Sequence, residues 1–176
     1  MRWNDIHTLP CSMARTLSVI GDRWTMLIIR DCFLGTRRFD DFQKQLGLTR
    51  HLLADRLNKL VEADVLYKAP QREGSTRYEY RLTEKGIELY PILLAMVAWG
   101  DRWMAGENGP PLEYIHRPCG QKTTPAAICS HCSEPIDPRA MQPIIGPGLK
   151  PYLDEPSLAE AKRLASYRFL TQGDSS

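Results

Sequence analysis

Residues 39–63, FDDFQKQLGLTRHLLADRLNKLVEA, decide the fold because they hold two helical patterns with a short glycine-containing turn between them. Phe39, Phe42 and Leu46 follow one another at steps of three and four residues, which predicts a helix of about two turns with one buried face. Gly47 ends this helix, since glycine readily adopts the left-handed backbone that closes a helix C-terminus. Helix, short turn and helix in this order predict a helix-turn-helix unit.

The second helix of this unit is predicted to run from Arg50 to about Ala63, with Thr49 as its N-cap. Its buried stripe is formed by Leu53, Leu57, Leu60 and Val61. Its other face is polar and carries Arg50, His51, Asp55, Arg56, Asn58, Lys59 and Glu62. A helix with one apolar stripe packs against the core on that side and leaves its polar side free for a partner.

A β-hairpin is predicted directly after the second helix. Residues 65–68 and 77–82 each favour a strand, and the polar connection 69–76 has proline and glycine at turn positions. Tyr78 and Tyr80 alternate with charged residues, which is the period-two pattern of a half-buried strand. A hairpin that follows a helix-turn-helix unit is a wing, so the predicted fold is mainly α with a small β-hairpin, a winged helix-turn-helix.

A long helix is predicted after the wing, from a cap at residues 83–85 to about Met104, with a bend at Pro91. Between Ile87 and Trp99 its only charged residue is Glu88, so its apolar surface must be shielded from water on all sides. A fully buried core helix is one explanation, and pairing with the same helix of a second subunit is the one we prefer. The predicted dimer interface consists of Ile87, Tyr90, Leu94, Val97, Trp99 and Trp103.

The 176 residues divide into a winged domain at 1–105, a linker and Cys-bearing segment at 106–142, and a Pro-rich segment at 143–176 whose last helix is predicted at 157–170. Hydrophobic residues make up 43% and charged residues 25%, as in ordinary globular proteins. We expect a cytoplasmic protein, because no apolar run is long enough to span a membrane and no secretory leader is visible. No catalytic motif stands out, so we do not expect an enzyme.

The polar helix face and the wing favour double-stranded DNA as partner, because an α-helix fits the major groove and its side chains reach base edges there. Residues 36–85 hold 11 Lys and Arg against 8 Asp and Glu, the sign that DNA requires. The candidate contacts on the helix are Thr49, Arg50, His51, Asp55, Arg56 and Asn58. The wing adds Arg72, Ser75, Thr76 and Arg77, and the preceding loop adds Arg37 and Arg38 as a phosphate clamp. Each has the alternative of an ordinary surface side chain, and for Arg56 a salt bridge with Asp40 or Asp41 is a further one.

Several motifs in order resemble the HxlR-type regulators over about residues 9–105. They are GDRWTMLIIRD at 21–31, GTRRF at 35–39, LADRL at 53–57, YRLTEKG at 80–86 and WGDRW at 99–103. The resemblance implies a winged helix-turn-helix homodimer that binds short inverted repeats near promoters, and we expect a repressor-like action. Cys11 occupies the position of the cysteine that some members use to sense electrophiles or oxidants, which requires an accessible thiolate. Its alternative is a buried, inert thiol, and a small-molecule effector beside the dimer helices is also open.

His116, Cys119, Cys129 and Cys132 form a second cluster, with His-x2-Cys followed by Cys-x2-Cys. Four such side chains suit a tetrahedral structural zinc ion, and His131 is a competing ligand. The alternatives are free reduced thiols or a pair that oxidises. A zinc deaminase does not fit, since that chemistry also requires a His-x-Glu motif that the sequence lacks. A zinc-stapled protein–protein adaptor, with a winged domain that does not read DNA, is the alternative function.

Overall fold

The computed structural model describes residues 3–141, 143–144 and 146–152. Within them the chain forms two compact units, one of residues 3–7 and 13–125 and one of residues 8–12 and 126–152. The predicted helix at 157–170 lies outside the described residues. No helix in this described part is both long and apolar enough to cross a lipid bilayer.

The described residues contain six α-helices and four β-strands. Their bounds are α1 Ser12–Ile20, α2 Arg23–Phe33, α3 Phe39–Leu46, α4 Arg50–Glu62, β1 Leu66–Pro70, β2 Tyr78–Leu82, α5 Glu84–Ile87, α6 Tyr90–Met104, β3 Tyr114–His116 and β4 Gln121–Thr123. The helix-turn-helix pair and the hairpin after it stand where the sequence predicts them. The fold is therefore mainly helical with a small antiparallel wing, as predicted.

Capping residues set the bounds of the central helices. Asp22 precedes α2, and its Oδ1 accepts a hydrogen bond of 2.9 Å from the amide of Trp24. Gly47 ends α3 in the left-handed conformation, with φ of 65°. The hydroxyl of Thr49 accepts a bond of 3.3 Å from the amide of Leu52, which satisfies one of the unpaired donors at the start of α4.

The core lies where α2, α3 and α4 meet the wing. Its fully buried side chains are Ile28, Ile29, Cys32, Phe42, Leu53, Leu57, Leu60, Val65 and Leu66. The ring of Phe42 meets the edge of Tyr80 on β2 at 6.4 Å between centroids, so the wing packs on the helices rather than standing apart. Each large apolar side chain buried in this way stabilises the fold by about 1.5–3 kcal/mol relative to an exposed one.

The wing is a two-stranded antiparallel sheet. Leu66 pairs with Leu82 at the open end of the hairpin, and Pro70 pairs with Tyr78 next to the turn. Both strands of a two-stranded sheet are edge strands, which tolerate a proline without losing a ladder bond on the paired side. The amide of Tyr80 donates 2.8 Å to the carbonyl of Arg37, a bond that ties β2 to the loop before α3.

The prediction of one bent helix from residue 83 to residue 104 is wrong at its start. The chain forms the short α5, and α6 begins at Tyr90 with Pro91 in its first turn. Proline has no N–H to continue a helical ladder, but the first turn of a helix needs no internal donor. Pro91 therefore marks the start of a new helix instead of a bend within an old one.

A second hairpin, β3 with β4, lies in the segment that the sequence predicts as a Cys-bearing linker. Tyr114 pairs with Thr123 and His116 with Gln121. The strands have three residues each, too short to show an alternating pattern. The second unit contains a bridge between Ile128 and Pro135 around the Cys129–Cys132 turn.

We predict that Gly86→Ala destabilises the winged domain. A Cβ at this buried glycine of α5 would lie 2.2 Å from the carbonyl oxygen of Val65, so the helix must move away from β1. We expect a loss of about 2 kcal/mol in the free energy of unfolding, measured by urea titration. Gly106→Ala is the control, because its Cβ meets nothing within 4 Å. Equal stability of the two variants would contradict the close packing of α5.

Candidate nucleic-acid interface

The orientation of α4 follows from its buried stripe. Leu53, Leu57 and Leu60 are 0–1% exposed, and they turn the same side of the helix into the core. His51 and Asn58 are exposed on the other side. With 3.6 residues per turn, Arg50, His51, Ala54 and Asn58 share the flank of α4 that faces the wing. The N-terminal half of α4 therefore presents its polar side chains outside the core.

A concave surface lies between this flank and the wing, and we call it the α4–wing groove. It is lined by Arg38, Phe39, Asp40, Arg50, His51, Ala54, Asn58, Lys68, Gln71, Thr76, Arg77, Tyr78 and Tyr80. A second concavity on the wing shares Arg38, Gln71, Thr76 and Arg77, and it adds Arg72, Glu73, Gly74, Ser75 and Glu79. Together the two surfaces carry five arginines and lysines against three acidic residues, so the local charge is positive.

Two cations in the groove rest on aromatic rings. The guanidinium of Arg50 lies 5.0 Å from the ring centre of Phe39, and its side chain remains 71% exposed. The ammonium of Lys68 lies 4.9 Å from the ring of Tyr78 and donates 3.3 Å to the side-chain oxygen of Asn58. Such contacts orient a cation while leaving its charge available to an anion. Lys68 is absent from the predicted contacts, and its side chain is exposed on β1.

The wing tip is shaped by its own hydrogen bonds. Gly74 takes a left-handed φ of 74°, the amide of Ser75 donates 3.0 Å to the carbonyl of Arg72, and the hydroxyl of Ser75 accepts 3.0 Å from the amide of Arg77. Ser75 therefore holds the turn. The side chains of Arg72, Thr76 and Arg77 are exposed around it.

Two of the predicted DNA contacts have partners inside the fold. Nε of Arg56 lies 2.9 Å from Oδ1 of Asp22, and the Arg56 side chain is only 19% exposed. Its partner is thus the N-cap of α2 rather than Asp40 or Asp41. The guanidinium of Arg37 donates to the carbonyl oxygens of Cys32 and of Thr36 at the end of α2. We therefore assign Arg56 and Arg37 to holding α2, α4 and the intervening loop in place.

Cations of α4 balance the negative charge of Asp55. Its carboxylate pairs with Arg56 and lies 3.0 Å from the ammonium of Lys59, four residues on. The hydrogen bond from Lys59 and the charges around it hold the pKa of Asp55 below its ordinary value, so the group is ionised at neutral pH. A paired carboxylate repels DNA less than a free one, but it does not attract phosphate.

The apolar face of α6 differs from the predicted dimer interface. Tyr90 packs its ring 4.7 Å from that of Phe33 within the same chain, and Leu94 and Val97 line a cavity against the β3–β4 hairpin. The large side chains that α6 leaves exposed are Ile92, Met96, Trp99, Trp103 and Met104. Ile92, Met96, Trp99 and Trp103 follow one another at steps of four, three and four residues and form one stripe, which we call the α6 stripe. Of the predicted residues Trp99 and Trp103 belong to it, and Ile87 is exposed on α5.

The cysteines fall into different environments. Cys11 is half-buried and directly precedes α1, whereas Cys32 is fully buried, and burial raises the pKa of its thiol to about 12. A thiol that stays protonated at neutral pH is a poor nucleophile, so Cys32 is a core residue. The Cys129 thiol accepts hydrogen bonds from the amide groups of Cys132 and His131, which lower its pKa.

We predict that Asp22 links the cap of α2 to the position of α4. Partial burial acts to raise the pKa of Asp22, but the Arg56 guanidinium and the Trp24 amide outweigh it and hold the pKa below its ordinary value of 3.8. Asp22→Asn keeps a capping oxygen and loses the ion pair, at a cost of about 1 kcal/mol at neutral pH. Asp22→Ala loses the cap as well, at a further cost of about 1 kcal/mol.

The pH dependence distinguishes the two losses. Because the folded pKa of Asp22 is depressed, its stabilising effect is present above pH 3.8 and disappears as the pH falls through the folded pKa. The gap in unfolding free energy between wild type and Asp22→Asn should therefore close in acid, while the gap between Asp22→Asn and Asp22→Ala stays. Urea titrations from pH 7 downward measure both gaps, and a gap to Asp22→Asn that does not narrow below pH 3.8 would contradict the ion pair.

The arrangement of the helix-turn-helix unit, the wing and α6 has close matches among known proteins. The HxlR-like helix-turn-helix family model matches residues 19–108. Rv3095 of Mycobacterium tuberculosis, an uncharacterized HTH-type transcriptional regulator, is 40% identical over 139 residues, which cover 79% of this chain and 88% of the relative. YodB of Bacillus subtilis, also an HTH-type transcriptional regulator, is 30% identical over 98 residues, 55% of this chain and 88% of the relative.

Solved structures agree with the sequence relatives. The crystal structure of PA1607, which is assigned as a transcription factor, matches with a TM-score of 0.73 and 36% identity over 80% of this chain and 98% of that one. The oxidized form of the redox regulator HypR matches with a TM-score of 0.50 and 29% identity over 55% of this chain and 100% of that one. The chain is a winged-helix transcriptional regulator and belongs to the HxlR-like helix-turn-helix family.

Proposed function

We propose that the chain acts as a homodimer that binds an inverted repeat in double-stranded DNA and represses a neighbouring promoter. The observation that carries the proposal is the α4–wing groove, which combines exposed donors on α4 with cations on the wing. The groove faces solvent, and its charged side chains have only weak partners in the chain. A polyanion with base edges to read is the partner whose chemistry matches this surface best.

The base contacts fall to the N-terminal half of α4. A helix that enters the major groove places three or four side chains on base edges. Arg50 is suited to O6 and N7 of guanine, and Asn58 presents an amide suited to adenine. His51 lies between them on the same exposed flank. Thr49 is engaged as the cap of α4, and its hydroxyl therefore contributes to the position of the helix rather than to base reading.

Phosphate contacts fall to the two edges of the groove. Arg38 lies at the start of α3, and Arg72 and Arg77 lie on the wing. Exposed arginines of this kind fix the register of a protein on the duplex without reading sequence. Because each neutralised phosphate releases counterions, affinity should fall steeply as salt rises.

The α6 stripe supplies the second half of the proposal. Ile92, Met96, Trp99 and Trp103 are 40–64% exposed, a contiguous apolar surface that a lone soluble subunit rarely presents. Their spacing of four, three and four residues is that of a helix which packs against another helix along one seam. A second copy of the same stripe is self-complementary, because a twofold axis brings identical residues together.

A twofold dimer presents two copies of α4 to the duplex. Its operator is therefore an inverted repeat with half-sites about 34–36 Å apart, one helical turn of DNA, or a multiple of that distance. An effector that changes this spacing would release the DNA. Cys11, at the start of α1, stays our candidate for a response to electrophiles or oxidants, and the relation to a redox regulator supports it. A small-molecule effector at the dimer helices stays open as well.

The adaptor alternative uses the same fold without DNA. A protein-binding winged domain has no need for exposed cations on both edges of a groove beside its second helix. The positive charge of the α4–wing groove therefore favours the regulator that binds DNA directly.

We predict that substitutions in the groove separate base reading from phosphate binding. Arg50→Ala should cost about 1–3 kcal/mol for the operator, roughly 5- to 150-fold in Kd, and little for unrelated duplexes. Arg77→Ala should weaken all duplexes to a similar degree and reduce the slope of log K against log salt by about one. Fluorescence anisotropy with fragments selected from the host genome measures both.

The matched control is Lys122→Ala, since Lys122 lies on β4 and pairs with Glu113 at 2.6 Å. Its loss should leave affinity and salt dependence unchanged. If Arg50→Ala and Arg77→Ala bind every duplex as tightly as Lys122→Ala does, the groove is not the DNA-binding surface.

We predict that Met96→Glu breaks the dimer. A carboxylate in the centre of the α6 stripe would be buried without a partner, which should raise the dimer dissociation constant by at least about a hundred-fold. Met104→Glu is the matched control, because Met104 is 71% exposed on the same helix but outside the stripe. Sedimentation velocity compares the two, and a Met96→Glu protein that remains dimeric would place the dimer interface elsewhere.

A further inference from the structure

A cavity of about 600 Å³ lies between α6 and the β3–β4 hairpin, and we call it the α6–hairpin cavity. Its α6 wall is formed by Leu94, Val97, Ala98 and Asp101, which share one helix face because steps of three, one and three residues separate them. At roughly 100° per residue, this face points away from the α6 stripe. The other wall comes from residues 110–125, so the whole cavity belongs to the first unit of the chain.

The size and the walls of the α6–hairpin cavity suit a small organic molecule. Cavities that bind such molecules measure about 300–1,000 Å³ and combine apolar walls with a few polar groups. Leu94, Val97 and Ala98 are half-buried on α6, and Leu112 on the other wall is 48% exposed. The cavity therefore offers apolar surface that the chain itself does not cover.

Three of the four charged side chains around the cavity have partners within the chain. The ammonium of Lys122 pairs with the carboxylate of Glu113 at 2.6 Å. The guanidinium of Arg102 lies 5.1 Å from the ring centre of Trp103, which belongs to the α6 stripe. Asp101 is half-buried and forms no ion pair with any residue that the structure describes. The charge that the cavity leaves unbalanced is therefore negative.

Tyr114 supplies an aromatic ring near this carboxylate. It is half-buried at the start of β3 and lines the same cavity. Burial raises the pKa of Tyr114, and its electrostatic interactions with Tyr90 and Asp101 act in the same direction, so its hydroxyl stays protonated at neutral pH. Both a carboxylate and the face of an aromatic ring attract a cation. The polar end of the cavity thus favours a positively charged group.

We propose that the α6–hairpin cavity binds a lipophilic amine, with its ammonium group beside Asp101 and Tyr114 and its apolar body against Leu94 and Val97. An organic anion suits the cavity less, because Lys122 is already paired and an anion would lie close to the carboxylate of Asp101. The binding of the amine requires neither DNA nor a second subunit.

The consequence of binding rests on the proposed function. The amine would contact one side of α6, and the opposite side carries the α6 stripe, the proposed dimer seam. A ligand shifts a dimer between two arrangements only as far as it binds one of them better. We expect the amine to favour an arrangement with a different spacing of the two α4 helices, and thus to release the operator.

The test is isothermal titration calorimetry of the full-length protein without DNA. The probes are naphthylethylamine and phenylbutylamine, each compared with the alcohol and the carboxylic acid of the same skeleton. Each amine should bind once per chain and at least about tenfold more tightly than its alcohol, because only the amine gains the ion pair. Asp101→Asn should remove this difference. Glu88→Gln is the matched control, since it removes an exposed carboxylate outside the cavity and should bind as the wild type does.

A second variant tests the location independently of charge. Ala98→Phe fills the cavity and should prevent binding of amine and alcohol alike, while urea titration checks that each variant is folded. Failure of both amines to bind the wild type, or equal binding by Asp101→Asn, would overturn the proposal. Tighter binding of the acids than of the amines would overturn the ligand class.

Fluorescence anisotropy with operator DNA then tests the effector role. Saturating amine should lower the operator affinity of the wild type about 5- to 150-fold and leave that of Asp101→Asn unchanged. Amine binding with unchanged operator affinity would overturn the effector role alone. A wild-type protein that binds the amine but no duplex would contradict the proposed function and support the assignment of the cavity.

Discussion

The burial of Leu53, Leu57 and Leu60 in α4 is the constraint on which the rest of the molecule depends. These side chains are 0–1% exposed, and together they fix the rotation of the helix about its own axis. Rotation by one residue would place polar groups in the core and leucines in the groove, at a cost of several kcal/mol. The capping hydroxyl of Thr49 and the ion pair from Arg56 to Asp22 then fix where α4 begins and how it leans on α2.

Local chemistry explains which parts of the fold could be predicted from the sequence. Gly47, Thr49 and Asp22 act on neighbours within three residues, so their roles as caps are visible in the chain itself. The partner of Arg56 is 34 residues away, and only the packing of α4 on α2 brings the two together. The sequence shows that Pro91 interrupts a helical pattern. Whether it bends a helix or starts one depends on how α5 packs.

The positions of the charged and apolar residues on the surface say more about binding than their numbers do. The net charge of the whole sequence is only +2, yet five cations against three acids line the groove and the wing. Among the apolar residues of α6, Tyr90 and Leu93 pack against the core of their own chain. Ile92, Met96, Trp99 and Trp103 form the exposed α6 stripe. The sequence pattern predicts an interface on this helix, but the side of the helix follows only from the packing of the chain.

Photo-cross-linking from α4 to operator DNA tests the central claim most directly. A benzophenone side chain at position 51 lies in the α4–wing groove, whereas the same group at position 62 lies at the other end of the helix, about 17 Å along its axis. The account predicts cross-links to the major-groove edge of the bases from position 51 and none from position 62. Equal cross-linking from both positions, or from position 62 alone, would contradict it.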